Sequence, residues 1–511
     1  MSDGNLALHL HAHLPFVRHP EHPQFLEERW FFDAIVDTYV PLILRFERLH
    51  NEGIPFRLSM TLSPTLLAMF ADGLLQERLS HHLARQNELC DKEMNRTAAQ
   101  PDFHEVVLMY HQRYTEVERT LARFGGNLAN AFRMLADLGH LELTTCGATH
   151  GFLPHMQLID GAVDRQLGLA VETHQRILER KPDGIWLPEC AYYPGLEEKL
   201  AAHGLVYFFV DSHALHLGNP RSSRGVHSHV FLPNGVAAFG RDAESSRQVW
   251  SMQEGYPGDG LYRDFYRDVG FDLPLDYVAP YVHLGDTRIL TGFKYHAITG
   301  ETEHKNVYDR PAALKKAEEH ANHFVWCREK QFNFLSEHMD RTPLVLAPYD
   351  AELYGHWWFE GPDFLYYVLK AAAGNRSVNT IAARDHLVQF PSAQVVTPNA
   401  SSWGDGGYYR VWINASNEWI YPHLHAAASL MPSERPTEPG WQQEAFDQAA
   451  RELVLAQSSD WPFIMTTGTS PDYAARRTTR HLANFHYLRQ ALETGRRPDR
   501  LDEMQWLNKI F

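Results

Sequence analysis

The chain has 511 residues, a formal charge of −16, and 44% hydrophobic and 12% aromatic residues. That length predicts two or three structural units. The acidic balance argues against nucleic acid or an anionic membrane as partner, because phosphate binding needs a basic face. No run of about 18 apolar residues is present, so no membrane span is expected. The opening Met1-Ser-Asp-Gly-Asn shows no basic segment followed by an apolar core, which predicts no secretory signal and a cytoplasmic protein. Cys90, Cys146, Cys190 and Cys327 form no CxxC pair, so reduced thiols are expected instead of a structural zinc knuckle.

In chain order, residues 5–14 alternate as a strand that places His11 and His13 on one side before Pro15 ends the ladder. Two histidines there suit either a metal site or a pair of hydrogen-bonding groups in a polar pocket. Residues 31–51 have helical spacing and 55–63 read as a second strand, a β-α-β opening that implies a parallel sheet. Residues 64–124 read as helical throughout, too long for one crossover, and are assigned to an insertion. Further strands are predicted over 141–149, with His150 at the end, over 184–189, ending in Pro188 and Glu189, and over 206–211. A hairpin follows over 230–240, then a last strand over 344–349; residues 255–292 read as a long irregular loop. About seven strands result, with polar residues recurring at their carboxyl ends, where parallel barrels assemble active sites. From about residue 375 the pattern changes, and helices are expected over 443–458, 473–494 and 501–508.

The stretch Ala347-Pro-Tyr-Asp-Ala-Glu-Leu-Tyr-Gly-His-Trp-Trp358 joins acidic groups to stacked aromatics just past a strand. Carboxyls can work on an acetal, and flat rings can pack on the apolar faces of sugars. Retaining glycosidases need two carboxyls, and Glu189 and Asp350, each closing an apolar strand after a proline, are the candidate pair.

Together these segments resemble the five sequence regions of glycoside hydrolase family 57, in its branching-enzyme group. The matching stretches are His11-Ala-His13-Leu-Pro15, Leu143-Thr-Thr-Cys-Gly-Ala-Thr-His150, Trp186-Leu-Pro-Glu189-Cys, the Asp350 stretch, and Ser402-Trp403-Gly-Asp-Gly-Gly-Tyr with Trp412-Ile-Asn. Val249-Trp250-Ser, Tyr262-Arg263-Asp and Ser458-Ser-Asp-Trp461-Pro are similar to the branching enzymes in particular. The resemblance implies an α/β fold: an incomplete (β/α)7 TIM-like barrel from residues 1–63 and 126–390, a helical insertion at 64–125, and a C-terminal helical domain at 391–511. It implies Glu189 as nucleophile and Asp350 as general acid/base. His11, His13 and His150 would hold the donor sugar, and Trp30, Trp250, Arg263, Trp403, Trp412 and Trp461 would line a glucan cleft. The implied substrate is α-1,4-glucan, with no cofactor and no metal. An amylase or 4-α-glucanotransferase without branching is the alternative inside the family. A metal-dependent hydrolase on His11 and His13, with His150 as a third ligand, is the alternative outside it.

Overall fold

The computed structural model describes residues 4–251, 253–282 and 287–511. Its strands are β1 (Gly4–Ala12), β2 (Leu58–Leu62), β3 (Leu141–Thr144), β4 (Gly184–Ile185), β5 (Tyr207–Val210), β6 (Val230–Phe231), β7 (Ala237–Gly240), β8 (Leu344–Asp350) and β9 (Val378–Thr380). β1 is buried at all nine positions, as a parallel strand covered on both faces must be. One sheet runs β3-β2-β1-β8, with β9 also on β1; the other runs β4-β5-β7-β6. Every pairing is parallel except the β6–β7 hairpin.

The two sheets meet at both ends. Thr145 bridges Ile185 in parallel, and the Trp186 N–H donates to the Thr145 carbonyl at 2.9 Å. At the other end the Asp242 N–H donates to the Leu346 carbonyl at 2.9 Å. The carboxyl ends of β1, β2, β3, β4 and β8 therefore lead into one region, through His13, Ser63, His150, Glu189 and Asp350.

Several strands are shorter than the sequence predicts, and at two of them the difference matters. β3 stops at Thr144, and β4 has only two residues. Glu189 is not a strand end: it lies in a tight turn with φ 60° and ψ 23°. The predicted helix over 31–51 is three pieces, Glu28–Ala34, a π-turn at Ile35–Tyr39, and Val40–Asn51. Pro41 has no N–H to offer the Asp37 carbonyl, so the regular ladder cannot pass there. Gly355, with φ +121°, lies directly on this π-turn: a Cβ there would sit 1.8 Å from the Asp37 carbonyl oxygen. The segment following Asp350 is thus anchored to the first helix by a contact that only glycine allows.

The segment after β2 is helical as predicted, in three pieces: Pro64–Phe70, Gly73–Thr97 and Pro101–Arg123. Ser63 and Asp72 cap the first two through their side chains. It has no separate core, because Leu75, Leu83, Val107 and Tyr114 join the same buried cluster as Leu8, Leu10 and Met60. The long helix Arg310–Ser336 has no counterpart among the predicted elements. Its buried stripe begins with Ala313, Ala317 and Ala321, too small to stand out between lysines and glutamates. Residues 283–286 of the predicted loop lie outside the described residues; the rest of it holds only short turns such as Val269–Asp272 and Leu275–Val278.

Beyond residue 415 the chain is helical, with Ile420–Ser429, Trp441–Ala456, Asp460–Thr467, Pro471–Thr494 and Leu501–Leu507. Leu453, Phe485, Leu488 and Met504 form their core. Among the described residues, no helix is long and apolar enough to cross a membrane.

Candidate active site

Glu189 reaches the site because Leu187 is extended while Glu189 and Cys190 both adopt positive φ. Left-handed geometry costs a non-glycine residue about 1–2 kcal/mol, and the surroundings hold it. The Cys190 N–H donates to the Leu187 carbonyl at 2.7 Å, and the Trp403 N–H to the Glu189 carbonyl at 3.2 Å. Tyr192 and Ser401 exchange backbone hydrogen bonds at 2.9 and 3.1 Å, stitching the loop after β4 to the glycine-rich loop. His150, also at positive φ, is tied likewise: the Ser459 N–H donates to its carbonyl at 2.9 Å. Strained turns of this kind concentrate at functional sites.

The side chains form one directed chain of hydrogen bonds. The Glu189 carboxylate accepts from the Trp403 indole N–H at 3.1 Å and from the Ser459 hydroxyl at 2.8 Å. With its proton committed to Glu189, Ser459 Oγ accepts from His150 Nδ1 at 2.7 Å. His150 Nε2 is then an acceptor, and His11 Nε2, 3.0 Å away, must donate to it. That leaves His11 Nδ1 bare: it is buried and has no partner among the described residues. Burial, then neighbouring histidines, holds both imidazoles well below the usual range, so both are neutral. His13 stacks on His150 with centroids 3.9 Å apart. Its Nδ1 meets Ser63 Oγ at 2.9 Å and its Nε2 meets the Asp460 carboxylate at 3.1 Å.

Asp350 ends β8 directly opposite His11 on β1. Its surroundings are the reverse of those at Glu189. It takes no hydrogen bond from any described residue; burial, then the charges of Glu352 and Glu189, pushes its carboxyl well above the usual range, with Arg241 pulling the other way. Burial also pushes Glu189 up, but the bonds from Trp403 and Ser459 pull it back. Glu352 accepts from the His13 N–H at 3.2 Å and from the Tyr39 hydroxyl of the π-turn. Burial raises its carboxyl to about 7. Burial raises both carboxyls, but hydrogen bonds hold back only Glu189, a difference in environment that suits nucleophile and acid roles.

The aromatic residues divide. Trp403 packs on Trp186 (centroids 4.7 Å apart) and edge-on to Trp250 (5.8 Å), and Trp186 lies on His11 at 5.3 Å. Trp30, Trp250 and Trp403 keep partial exposure. Three other predicted cleft residues present no open face. Trp412, 1% exposed, stacks on Phe152 at 4.9 Å. Trp461, also 1% exposed, donates its indole N–H to the Leu455 carbonyl at 2.7 Å. Arg263 is buried, donating to the Tyr110 hydroxyl at 3.0 Å with its guanidinium 3.8 Å from the Phe359 ring centre. All three side chains are spent on packing. Trp461→Ala should therefore cost stability, about 3–5 kcal/mol for a buried tryptophan, read as a lower denaturant midpoint. Trp403→Ala, at a partly exposed ring, should lower that midpoint less.

Trp358 is buried against Phe364 and Tyr262, while Trp357 is half-exposed on Phe265 at 5.1 Å. Neither touches the carboxyl pair. Sequence reasoning overlooked Ser459 and Asp460, although both lie inside the Ser458-Ser-Asp-Trp461 stretch, where the tryptophan drew the attention. It also overlooked Arg241, which pairs with Asp211 at 3.3 Å and lies 5.9 Å from the Trp403 ring centre. Its signal was its place just past β7, at a strand's carboxyl end. As for a metal, both nitrogens of His13 are engaged. The potential ligand group among the described residues is His11, Cys146 and His150, with one donor atom each, all within 4.8 Å of one another.

The family model "Glycosyl hydrolase family 57" matches residues 7–398, and "1,4-alpha-glucan branching enzyme, C-terminal" matches residues 423–511. A 1,4-alpha-glucan branching enzyme of Thermococcus kodakarensis is 32% identical over 96% of this chain and 74% of its own. Among solved structures, the alpha-amylase AmyC of Thermotoga maritima superposes with a TM-score of 0.93 at 39% identity, covering 99% of this chain and 97% of its own. A branching enzyme of Pyrococcus horikoshii gives 0.89 at 31%, covering 100% and 95%.

Proposed function

Since this chain belongs to glycoside hydrolase family 57, we propose that it is a 1,4-alpha-glucan branching enzyme working by retention through Glu189 and Asp350. The observation that carries the carboxyl assignment is their contrast: Glu189 receives two hydrogen bonds that favour its anion, and Asp350 receives none beside two negative neighbours. Glu189 attacks the anomeric carbon of an α-1,4-glucan while Asp350 protonates the departing 4-oxygen. The glycosyl ester on Glu189 is then opened by the 6-hydroxyl of an acceptor chain, whose proton passes to Asp350. His11, His13 and His150 hold the donor sugar by exchanging partners, since a glucose hydroxyl both donates and accepts and can replace a link in their chain. Trp30, Trp250 and Trp403 form the apolar wall of the cleft, stacking on glucose rings and keeping water from the ester.

On this reading strands β1, β2, β3, β4, β5, β7 and β8 make an incomplete (β/α)7 barrel, with residues 64–125 as its insertion and 391–511 as the C-terminal domain that delivers Trp403 and Ser459. The substrate is a neutral α-1,4-glucan such as amylose or glycogen, which suits a chain of charge −16. Four unpaired cysteines suit the cytoplasm.

One observation favours a second reading, hydrolysis: the 39% identity to a protein described as an alpha-amylase. Amylose incubated with the enzyme and followed by proton NMR separates the two. Branching predicts growth of α-1,6 anomeric signals without a matching rise in reducing ends; reducing ends alone would establish an amylase.

Glu352 supplies a further check. Its negative charge raises the Asp350 pKa, so removing the charge lets Asp350 ionise at lower pH. Glu352→Gln should shift the alkaline limb of the kcat/KM profile toward acid, by about one pH unit if the interaction is worth about 1.4 kcal/mol. A stationary limb would mean that Glu352 does not act on the acid.

A further inference from the structure

We infer that His11, Cys146 and His150 form an inhibitory site for a thiophilic divalent cation of the Zn2+ type, whose occupation closes the donor pocket. One donor atom from each lies within 4.8 Å of the others, and all three side chains are buried. Two imidazoles and a thiolate are a ligand set zinc favours, with a fourth position left for water. The hydrogen-bond chain prepares the ligands. Ser459 fixes the His150 proton on Nδ1 at 2.7 Å, as the outer partner of a zinc histidine does, so Nε2 carries the lone pair that without metal accepts from His11. His11 carries a nitrogen that is buried with no partner among the described residues, and its ring is held against Trp186 at 5.3 Å. Cys146 comes to the same place because the Thr145–Ile185 bridge fixes the chain just past β3. The thiol has no other task in the reaction. On coordination Cys146 gives up its proton to solvent and becomes the thiolate ligand.

The consequence for activity rests on the glucan reading: an ion on His11 and His150 takes the groups that hold the donor sugar. The cation is thus an inhibitor, not a requirement of the reaction. Binding itself does not depend on that reading, and the test reads the two separately.

The test uses the full chain with Cys327→Ser as background, because Cys327, half-buried and 3.7 Å from His323 Nε2, could bind metal on its own. Co2+ titration should give one equivalent bound and a near-ultraviolet thiolate-to-cobalt band, displaced by maltooligosaccharide. Zn2+ should inhibit competitively with the donor glucan and be reversed by EDTA. Adding Cys146→Val should abolish the band, leave metal-free activity intact, and raise the inhibitory Zn2+ concentration tenfold or more; loss of an outer partner alone costs metal sites about 10–100-fold. Equal inhibition with and without Cys146, or no cobalt–thiolate band while Cys146 is present, would overturn the site. If Cys146→Val fails to fold by circular dichroism, the band in the parent and its displacement by sugar decide. A band without any activity on glucan would uphold the site and count against the glucan reading alone.

Discussion

Glu189→Gln is expected to lower kcat on amylose by about 10^4-fold or more, the scale of losing a covalent nucleophile, without lowering the stability of the protein. The two halves of this expectation have one cause. Burial, the largest influence on Glu189, raises its pKa in the fold, so its anion is disfavoured there relative to the unfolded chain. For such a group the fold loses stability as pH rises from the unfolded value through the raised folded value, and a neutral side chain removes that cost. A buried carboxylate kept at the expense of stability is one kept for chemistry. The amide would also meet two donors, Trp403 and Ser459, where the carboxylate accepted both. Ser459 can turn to accept from the amide while its second lone pair still accepts from His150 Nδ1. Denaturation midpoints measured at neutral pH should be equal or higher in the variant. A variant that unfolds more easily and keeps most of its activity would assign Glu189 to structure.

The second large effect is expected at Asp350. Asp350→Asn removes the proton donor, and general acid–base catalysis is worth about 10^2–10^4-fold. The loss should depend on the substrate. Amylose has a poor leaving group that needs the proton, whereas a maltooligosaccharyl fluoride departs without one. With the fluoride, the first step should survive while the second, which needs Asp350 as base, should stall. Azide, a nucleophile needing no base, should then restore turnover. Equal losses on both substrates, with no azide rescue, would deny Asp350 this role.

Much of the frame could be read from sequence because it follows from local pattern. The alternation in β1 placed His11 and His13 on one side, and the apolar run into Asp350 announced β8. The run from Pro64 read as helical, although the caps at Ser63 and Asp72 emerged only from the structure. What could not be read depends on contacts distant in the chain. Glu189 was expected at a strand end, yet its direction comes from a left-handed turn held by Trp403 and Ser401, more than 200 positions away. The π-turn at Ile35–Tyr39 is matched to Gly355, a pairing that no window of sequence contains. The tryptophans show the same limit: composition announced aromatic residues suited to sugar, but burial decides which have an open face. Trp412 and Trp461 are spent on packing, while Ser459, two residues before Trp461, reaches the Glu189 carboxylate. A hydroxyl such as Ser459 Oγ carries no signal of its own until the fold brings it within 2.8 Å of Glu189.

The central claim is that the reaction passes through a glycosyl ester on Glu189. Asp350→Asn protein should be mixed with a maltooligosaccharyl fluoride, denatured in acid during turnover, digested, and its peptides weighed by mass spectrometry. The account predicts a maltooligosaccharyl adduct on the peptide containing Glu189, absent in the double variant with Glu189→Gln. An adduct on another carboxylate, or the same adduct with Glu189 removed, would contradict it.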